Sequence, residues 1–317
     1  MKVQDIAFKT PEHVIQEVRD MNVKGGSPFG RAAAWAVRLA CEQEKFDDIS
    51  ALRTRLNNIA DQLVMLKPTM ATIANTQLLV NQRLGEMPAD ATAEIAAEAV
   101  IEMCKRIIEH SYTSVSRLGK IGANLITEGA VVMMHSYSST LMSVFEAAVE
   151  KGTNFSVICT ESRPLRESRL AAKVLSDLGV PVIYITDAEI WEFMPTVDMI
   201  IMGVDSLAWD GSVANKMGSA MITQLAQVCK KRVYFASELF KLDSRTAEGR
   251  PILLERRTET EVVAADDFDG KSGIEVINQF FDLTPANQIT GLITEYGVIA
   301  PQMVSVGWEK FKNELFY

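Results

Sequence analysis

Four cysteines and three histidines in 317 residues leave little for metal chemistry. Cys41, Cys104, Cys159 and Cys229 are scattered, with no C-x-x-C pair and no histidine at ligand spacing. That usage excludes a zinc ribbon or a disulfide framework and suits free, mostly buried thiols in a reducing cytosol. Long apolar runs are missing as well. The first residues, MKVQDIAFKTPEHV, contain no apolar signal core, and no stretch approaches a spanning helix, so a cytoplasmic protein without membrane attachment is expected. Positive charge is in deficit: the net charge is −9 and the pI near 5.1, which excludes a general nucleic-acid-binding surface. No strand is followed by G-x-G-x-x-G, and G-x-x-x-x-G-K-[ST] does not occur. The usual dinucleotide and ATP fingerprints are therefore absent, and no cofactor is expected.

What is present is an ordinary globular composition, 48% hydrophobic and 23% charged, in a chain long enough for two domains. Residues 10 to about 118 read as helices. Pro11 opens one carrying Val14, Ile15, Val18 and Met21 on one face. Val23-Lys24-Gly25-Gly26-Ser27-Pro28 ends it, and an Ala-rich helix is expected from Arg31 to Glu44. Further helices cover about Asp47 to Leu66, a segment through Leu84, and about Ala91 to Leu118, with Lys67-Pro68-Thr69 and Glu86-Met87-Pro88 as breaks. This gives an N-terminal helical domain, residues 1–118.

From Gly119 the pattern changes to short β-branched runs alternating with helical stretches, the signature of βαβ units and a parallel sheet. Strands are expected at 130–134, 154–160, 180–186, 199–204, 232–237 and 292–295, with helices at 138–150, 166–178 and 188–193 and a late helix from Pro285. Residues 119–317 are thus expected to form a Rossmann-like ligand-binding domain, and the chain as a whole is α/β. The stretch Met199–Ala220 organises it: a buried strand runs to Asp205, Asp210-Gly211 turns the chain, and Asn215-Lys216 opens a helically spaced segment.

In an open α/β sheet, ligands bind beyond the carboxyl ends of the strands. There the sequence places Ser136 and Ser138 after the first strand, Arg163 after the second, Asp205 after the fourth, and Glu238 and Lys241 after the fifth. Cations, carboxylates and hydroxyls on one rim suit a phosphorylated sugar. The Lys24-Gly25-Gly26 loop before a helix offers backbone N–H groups to an anion.

Seven blocks in this order resemble a known family: K-G-G-S-P-F-G (24–30), K-P-T (67–69), T-E-S-R-P (160–164), G-V-D-S (203–206), G-S-V-A-N-K-M-G (211–218), S-E-L-F-K (237–241) and F-D-L-T-P-A-N-Q-I-T-G-L-I-T-E-Y-G-V (281–298). The family unites methylthioribose-1-phosphate isomerase, ribose-1,5-bisphosphate isomerase and the alpha, beta and delta subunits of translation initiation factor 2B. The resemblance implies a helical domain followed by a Rossmann-like one, assembly as a dimer or a trimer of dimers (a hexamer), and, in the isomerases, aldose–ketose interconversion of a sugar 1-phosphate without metal or nucleotide. It marks Asp205 as the catalytic acid, and Asn215, Lys216, Arg163, Ser138, Lys24, Gly25 and Gly26 as contacts to sugar or phosphate. Lys67 stands where an arginine is common. At Ser136 the isomerases place a cysteine that carries half of the proton transfer; a serine hydroxyl is far too weak an acid to ionise readily near neutrality. His135 and Tyr137, on an extended chain, would point to the other face. Three functions follow: a sugar-phosphate isomerase using Asp205 and Ser136, a non-catalytic regulatory protein binding a sugar phosphate or nucleotide, or a subunit of a translation exchange complex that acts with partner subunits.

Overall fold

The computed structural model describes residues 6–268 and 271–316. Five helices come first: α1 (Pro11–Arg19), α2 (Gly26–Gln43), α3 (Ile49–Leu66), α4 (Ala71–Gly85) and α5 (Ala93–Ala123). Side chains that accept from exposed helical N–H groups fix three of their starts: Thr10 from His13, Asp48 from Ala51 and Thr92 from Ile95. Helix α2 begins at Gly26, not at Arg31 as expected. Pro28 falls in its first turn, where the missing N–H would have had no partner and the ring meets no preceding carbonyl. No helix among the described residues is long and apolar enough to cross a membrane.

Helix α5 runs past its expected end at Leu118, through Gly119 and Gly122, to Ala123. These glycines let it lie directly on the helix that follows β1 (Ala130–Met134), α6 (Ser139–Glu150). A Cβ on Gly119 would stand 2.6 Å from the Ser143 carbonyl oxygen, and one on Gly122 2.7 Å from the Val144 side chain. The 31-residue α5 thereby packs against both α2 and α6 and ties the helical bundle to the sheet.

The chain continues through β2 (Phe155–Thr160), α7 (Ser168–Asp177), β3 (Val182–Ile185), α8 (Ile190–Phe193), β4 (Met199–Gly203), β5 (Ser206–Leu207), β6 (Val213–Lys216), α9 (Ser219–Val228), β7 (Arg232–Ala236), β8 (Phe281–Thr284), β9 (Gly291–Thr294), β10 (Gly297–Ile299) and α10 (Val304–Phe316). Seven strands form the main sheet in the order β10-β9-β7-β4-β1-β2-β3, parallel except at β10. Every residue of β4 is buried, as a strand covered on both faces requires.

Two further expectations are corrected. Asn215 and Lys216 do not open a helix; they end β6, the middle strand of a small antiparallel sheet β5-β6-β8. The late helix from Pro285 is a single 3₁₀ turn, Ala286–Gln288. The carboxyl tail forms α10, whose Trp308 and Phe311 stack at 5.0 Å and, with Leu315, enter the core.

The order of the strands fixes where a ligand can sit. From β1 the chain steps outward to β2 and β3, then returns to build β4 on the other side of β1. The loops after β1 and β4 therefore diverge and leave a crevice, the switch point of an open parallel sheet.

Candidate active site

Asp205 lies two residues beyond the end of β4, its backbone N–H donating to the Ala214 carbonyl at 3.0 Å. Among the described residues no hydrogen bond or ion pair reaches its carboxylate. Burial raises its pKa to about 6, against the opposing pull of the Lys241 and Lys216 cations. The crevice is narrow here because Gly203, two residues earlier, lies against Ser138. A Cβ on Gly203 would come within 2.5 Å of the Ser138 Cβ, so a side chain at that point would drive the two loops apart.

Across the crevice, the chain after β1 is held by buried hydrogen bonds. The His135 ring sits between Thr160 Oγ1, 2.6 Å from Nδ1, and the Met217 carbonyl, 2.8 Å from Nε2. A carbonyl only accepts, so Nε2 carries the proton and Nδ1 accepts from Thr160. Burial lowers the pKa of this imidazole, in keeping with a neutral ring. His135 thus faces away from the crevice, as expected. Ser136 takes a left-handed backbone (φ 65°), and its N–H donates to Ser162 Oγ at 2.7 Å. That twist breaks the alternation of an extended chain, so Ser136 and Tyr137 both line the cavity, contrary to the expectation for Tyr137. Ser138 caps α6, accepting from the Leu141 N–H at 3.3 Å.

The floor comes from the small sheet. Asn215 is buried and donates to Ser219 Oγ at 2.8 Å. Lys216 is also buried; its ammonium pairs with Glu167 Oε1 and lies 3.1 Å from the centroid of the Phe280 ring, whose other cationic neighbour is Arg257 at 4.4 Å. Burial pushes the Lys216 pKa down, and Glu167 resists it.

The helical bundle closes the opposite wall with Lys24, Gly25, Gly26 and Lys67. Helix α2 has no side-chain cap at its start, so its first N–H groups remain open to an anion. Lys241 reaches in from the turn after β7, its Nζ donating to the Val204 carbonyl at 2.9 Å. The cavity measures about 500 Å³ and opens to solvent. Eight cationic side chains line it against three carboxylates, in a protein whose net charge is −9. Such a concentration of positive charge in a cleft selects anions.

Of the residues expected at this site, Lys24, Gly25, Gly26, Lys67, Ser136, Ser138, Asp205, Asn215, Lys216 and Lys241 line the one cavity. Two expected residues do not. Arg163 turns away: its Nη2 donates to the Val262 carbonyl at 2.7 Å, while Asp187 accepts from its backbone N–H. Glu238 lies behind Lys241. It accepts from Ser27 Oγ at 2.5 Å and Thr140 Oγ1 at 3.0 Å and pairs with Lys241 Nζ at 3.2 Å. Burial would raise its pKa, but Lys241 and the two hydroxyls outweigh that and hold it below the usual range. Glu238 therefore orients Lys241 and does not face a ligand.

A model of the initiation factor 2 subunit family matches residues 22–301. The chain belongs to that family. The ribose 1,5-bisphosphate isomerase of Pyrococcus furiosus is 32% identical over 291 residues, spanning 91% of this chain and 90% of the relative. Among solved structures, the translation initiation factor eIF-2B of Pyrococcus horikoshii OT3 matches with a TM-score of 0.76 at 26% identity, covering 92% of this chain and 97% of that one. The 5-methylthioribose 1-phosphate isomerase of the same organism matches with 0.73 at 25% identity, covering 97% and 88%. The resemblance carried by the seven sequence blocks and the α/β architecture expected from it are both borne out.

This member of the initiation factor 2 subunit family also lines its cavity with residues that the sequence reading missed: Arg166, Glu167, Arg169, Lys173, Glu255, Arg257 and Phe280. Arg169 and Lys173 stand four residues apart on α7, hence on one helical face, and that spacing was a usable signal. Glu255, Arg257 and Phe280 arrive from a long irregular segment after β7, where no periodicity marks direction.

Proposed function

We propose that the protein is an aldose–ketose isomerase of a phosphorylated pentose, of the ribose-1,5-bisphosphate or methylthioribose-1-phosphate type. One observation carries this reading: an unpartnered carboxylate, Asp205, with a pKa raised to about 6, stands at the switch-point crevice of a strongly cationic cavity. Converting a cyclic aldose 1-phosphate to a ketose 1-phosphate is redox-neutral. It requires a proton for the ring oxygen as the ring opens, and a group to remove the C2 hydroxyl proton as the carbonyl forms. A carboxyl with a raised pKa suits the first task. Lys24, Lys67, Lys241, the open N–H groups of α2 and the serines at the start of α6 suit the phosphate; Asn215 and Ser136 suit sugar hydroxyls. The curated relatives named as isomerases, alike over about nine-tenths of the chain, support the same reaction.

The surplus of cations favours a substrate with a second anionic group. Replacing Arg169 and Lys173 together by Gln is expected to raise KM for ribose 1,5-bisphosphate by roughly tenfold or more, the effect of losing one charge-assisted hydrogen bond. KM for methylthioribose 1-phosphate should change far less. Equal losses on both substrates would show that α7 supplies only general positive charge.

The resemblance also favours a second reading, a regulatory protein that binds a sugar phosphate or nucleotide without turning it over, because it implies that Ser136 stands where the isomerases place a cysteine. Incubation with each sugar phosphate, with ketose followed by NMR, separates the two, since saturable binding without ketose supports the regulatory protein. Residence in the cytoplasm, assembly as a homodimer or hexamer, and the division into residues 1–118 and 119–317 belong to the same proposal; the free cysteines support a reducing compartment.

A further inference from the structure

We propose that Glu167 is the general base of this site, performing the proton transfer for which Ser136 is unsuited. The inference rests on the isomerase reading and names the residue that completes it.

The observation is a half-used carboxylate. Glu167 lines the cavity and holds the Lys216 ammonium through Oε1, while its Oε2 is buried and has no hydrogen-bond partner among the described residues. A carboxylate kept only to neutralise Lys216 would gain by giving its second oxygen a donor or leaving it in water, because a buried acceptor without a partner is costly. Glu167 is 27% exposed and lines the cavity, so rotation about its Cγ–Cδ bond presents a carboxylate oxygen to a substrate hydroxyl, which supplies the missing donor. Lys216 is also close enough to Asp205 to oppose the rise in its pKa, so the lysine links the two carboxylates electrostatically. The site then contains an acid, Asp205, and a base, Glu167, with Lys216 fixing the orientation of the base.

The reaction balances with these groups. As the C1–O4 bond breaks, its electron pair goes to O4, which takes a proton from Asp205. The hydrogen on C2 moves to C1 with its electron pair, the C2 hydroxyl becomes a carbonyl, and its proton passes to Glu167. Asp205 ends ionised and Glu167 protonated, and solvent exchange restores both. No thiol is needed, which accounts for the serine at 136.

Glu255 is the competing candidate, since its Oε1 is likewise buried without a partner and it lines the same cavity. Its cationic neighbours are Lys67 and Arg257, and no ion pair with Lys216 orients it.

Steady-state kinetics on ribose 1,5-bisphosphate of the full-length wild type and of Glu167→Gln, Glu167→Asp, Glu255→Gln and Ser136→Ala decide the matter. Glu167→Gln keeps an oxygen for Lys216. It is expected to lower kcat by roughly 10²- to 10⁴-fold with KM within about threefold, the split that marks a group acting only in the transition state. Calorimetric titration with ribulose 1,5-bisphosphate should show that this variant still binds and is therefore folded. Glu167→Asp should retain part of the activity, and Ser136→Ala should lose less than about tenfold. Turnover by Glu167→Gln near the wild-type rate, or a larger loss in Glu255→Gln or Ser136→Ala, would overturn the assignment. A wild type that turns over neither sugar phosphate would overturn the isomerase reading itself.

Discussion

Asp205→Asn should remove turnover and make the unliganded protein more stable. The amide cannot deliver a proton to the ring oxygen, so kcat is expected to fall by roughly 10²- to 10⁴-fold, with substrate affinity largely kept. The gain in stability follows from linkage. The Asp205 carboxyl has a pKa of about 6 in the folded protein and an ordinary carboxylate value when unfolded, so the folded state binds the extra proton between about pH 4 and 6. Wild-type stability contributed by this group is therefore complete at low pH and lost as the pH rises through 6. Asn does not ionise. The variant should match the wild type below pH 4, pull ahead between pH 4 and 6, and lead by about 2 kcal/mol at pH 7, allowing for partial exposure. Denaturant unfolding of both proteins at pH 4 and pH 7 measures this. An Asn variant less stable than the wild type at pH 7 would mean that Asp205 serves the fold and not a ligand.

The second large effect concerns Lys216. Replacing it with Met preserves the length of the side chain and a favourable contact with the Phe280 ring, but strands Glu167 with neither oxygen paired. Removing the lysine from this ion pair, whose carboxylate is 27% exposed, costs roughly 1 to 3 kcal/mol. Lys216→Met should be destabilised to that degree in urea unfolding, and adding Glu167→Gln should restore most of the loss because the orphaned charge is gone. Additive losses in the double variant would show that Lys216 stabilises the protein by packing alone.

The strands of the main sheet were legible because parallel strands buried on both faces appear as short apolar runs. Ala130–Met134 is such a run, and Met199–Gly203 is another. The small sheet was not legible. Strand β6 has four residues between a turn and a helix, too few to establish a period, and its partner β8 lies some 65 residues away in the chain. Pro28 read as a breaker although a proline costs nothing in a helix's first turn.

At the site, residue type was legible and direction was not. The run Thr160–Lys173 contains three arginines and a lysine, but which of them meets a ligand depends on a turn geometry that composition does not encode. Arg163 binds the Val262 carbonyl, whereas Arg166, Arg169 and Lys173 reach the cavity. Ser136 shows the same limit: its left-handed backbone brings Tyr137 onto a wall from which strict alternation would exclude it.

The most direct test of the account is to supply ribose 1,5-bisphosphate labelled with carbon-13 at C2 and to follow the spectrum with wild type and with Asp205→Asn. The account predicts that the wild type converts the C2 carbinol signal into a ketone signal, and that the variant binds the sugar without converting it. Saturating binding to the wild type with an unchanged spectrum, or conversion at the same rate by both proteins, would contradict it.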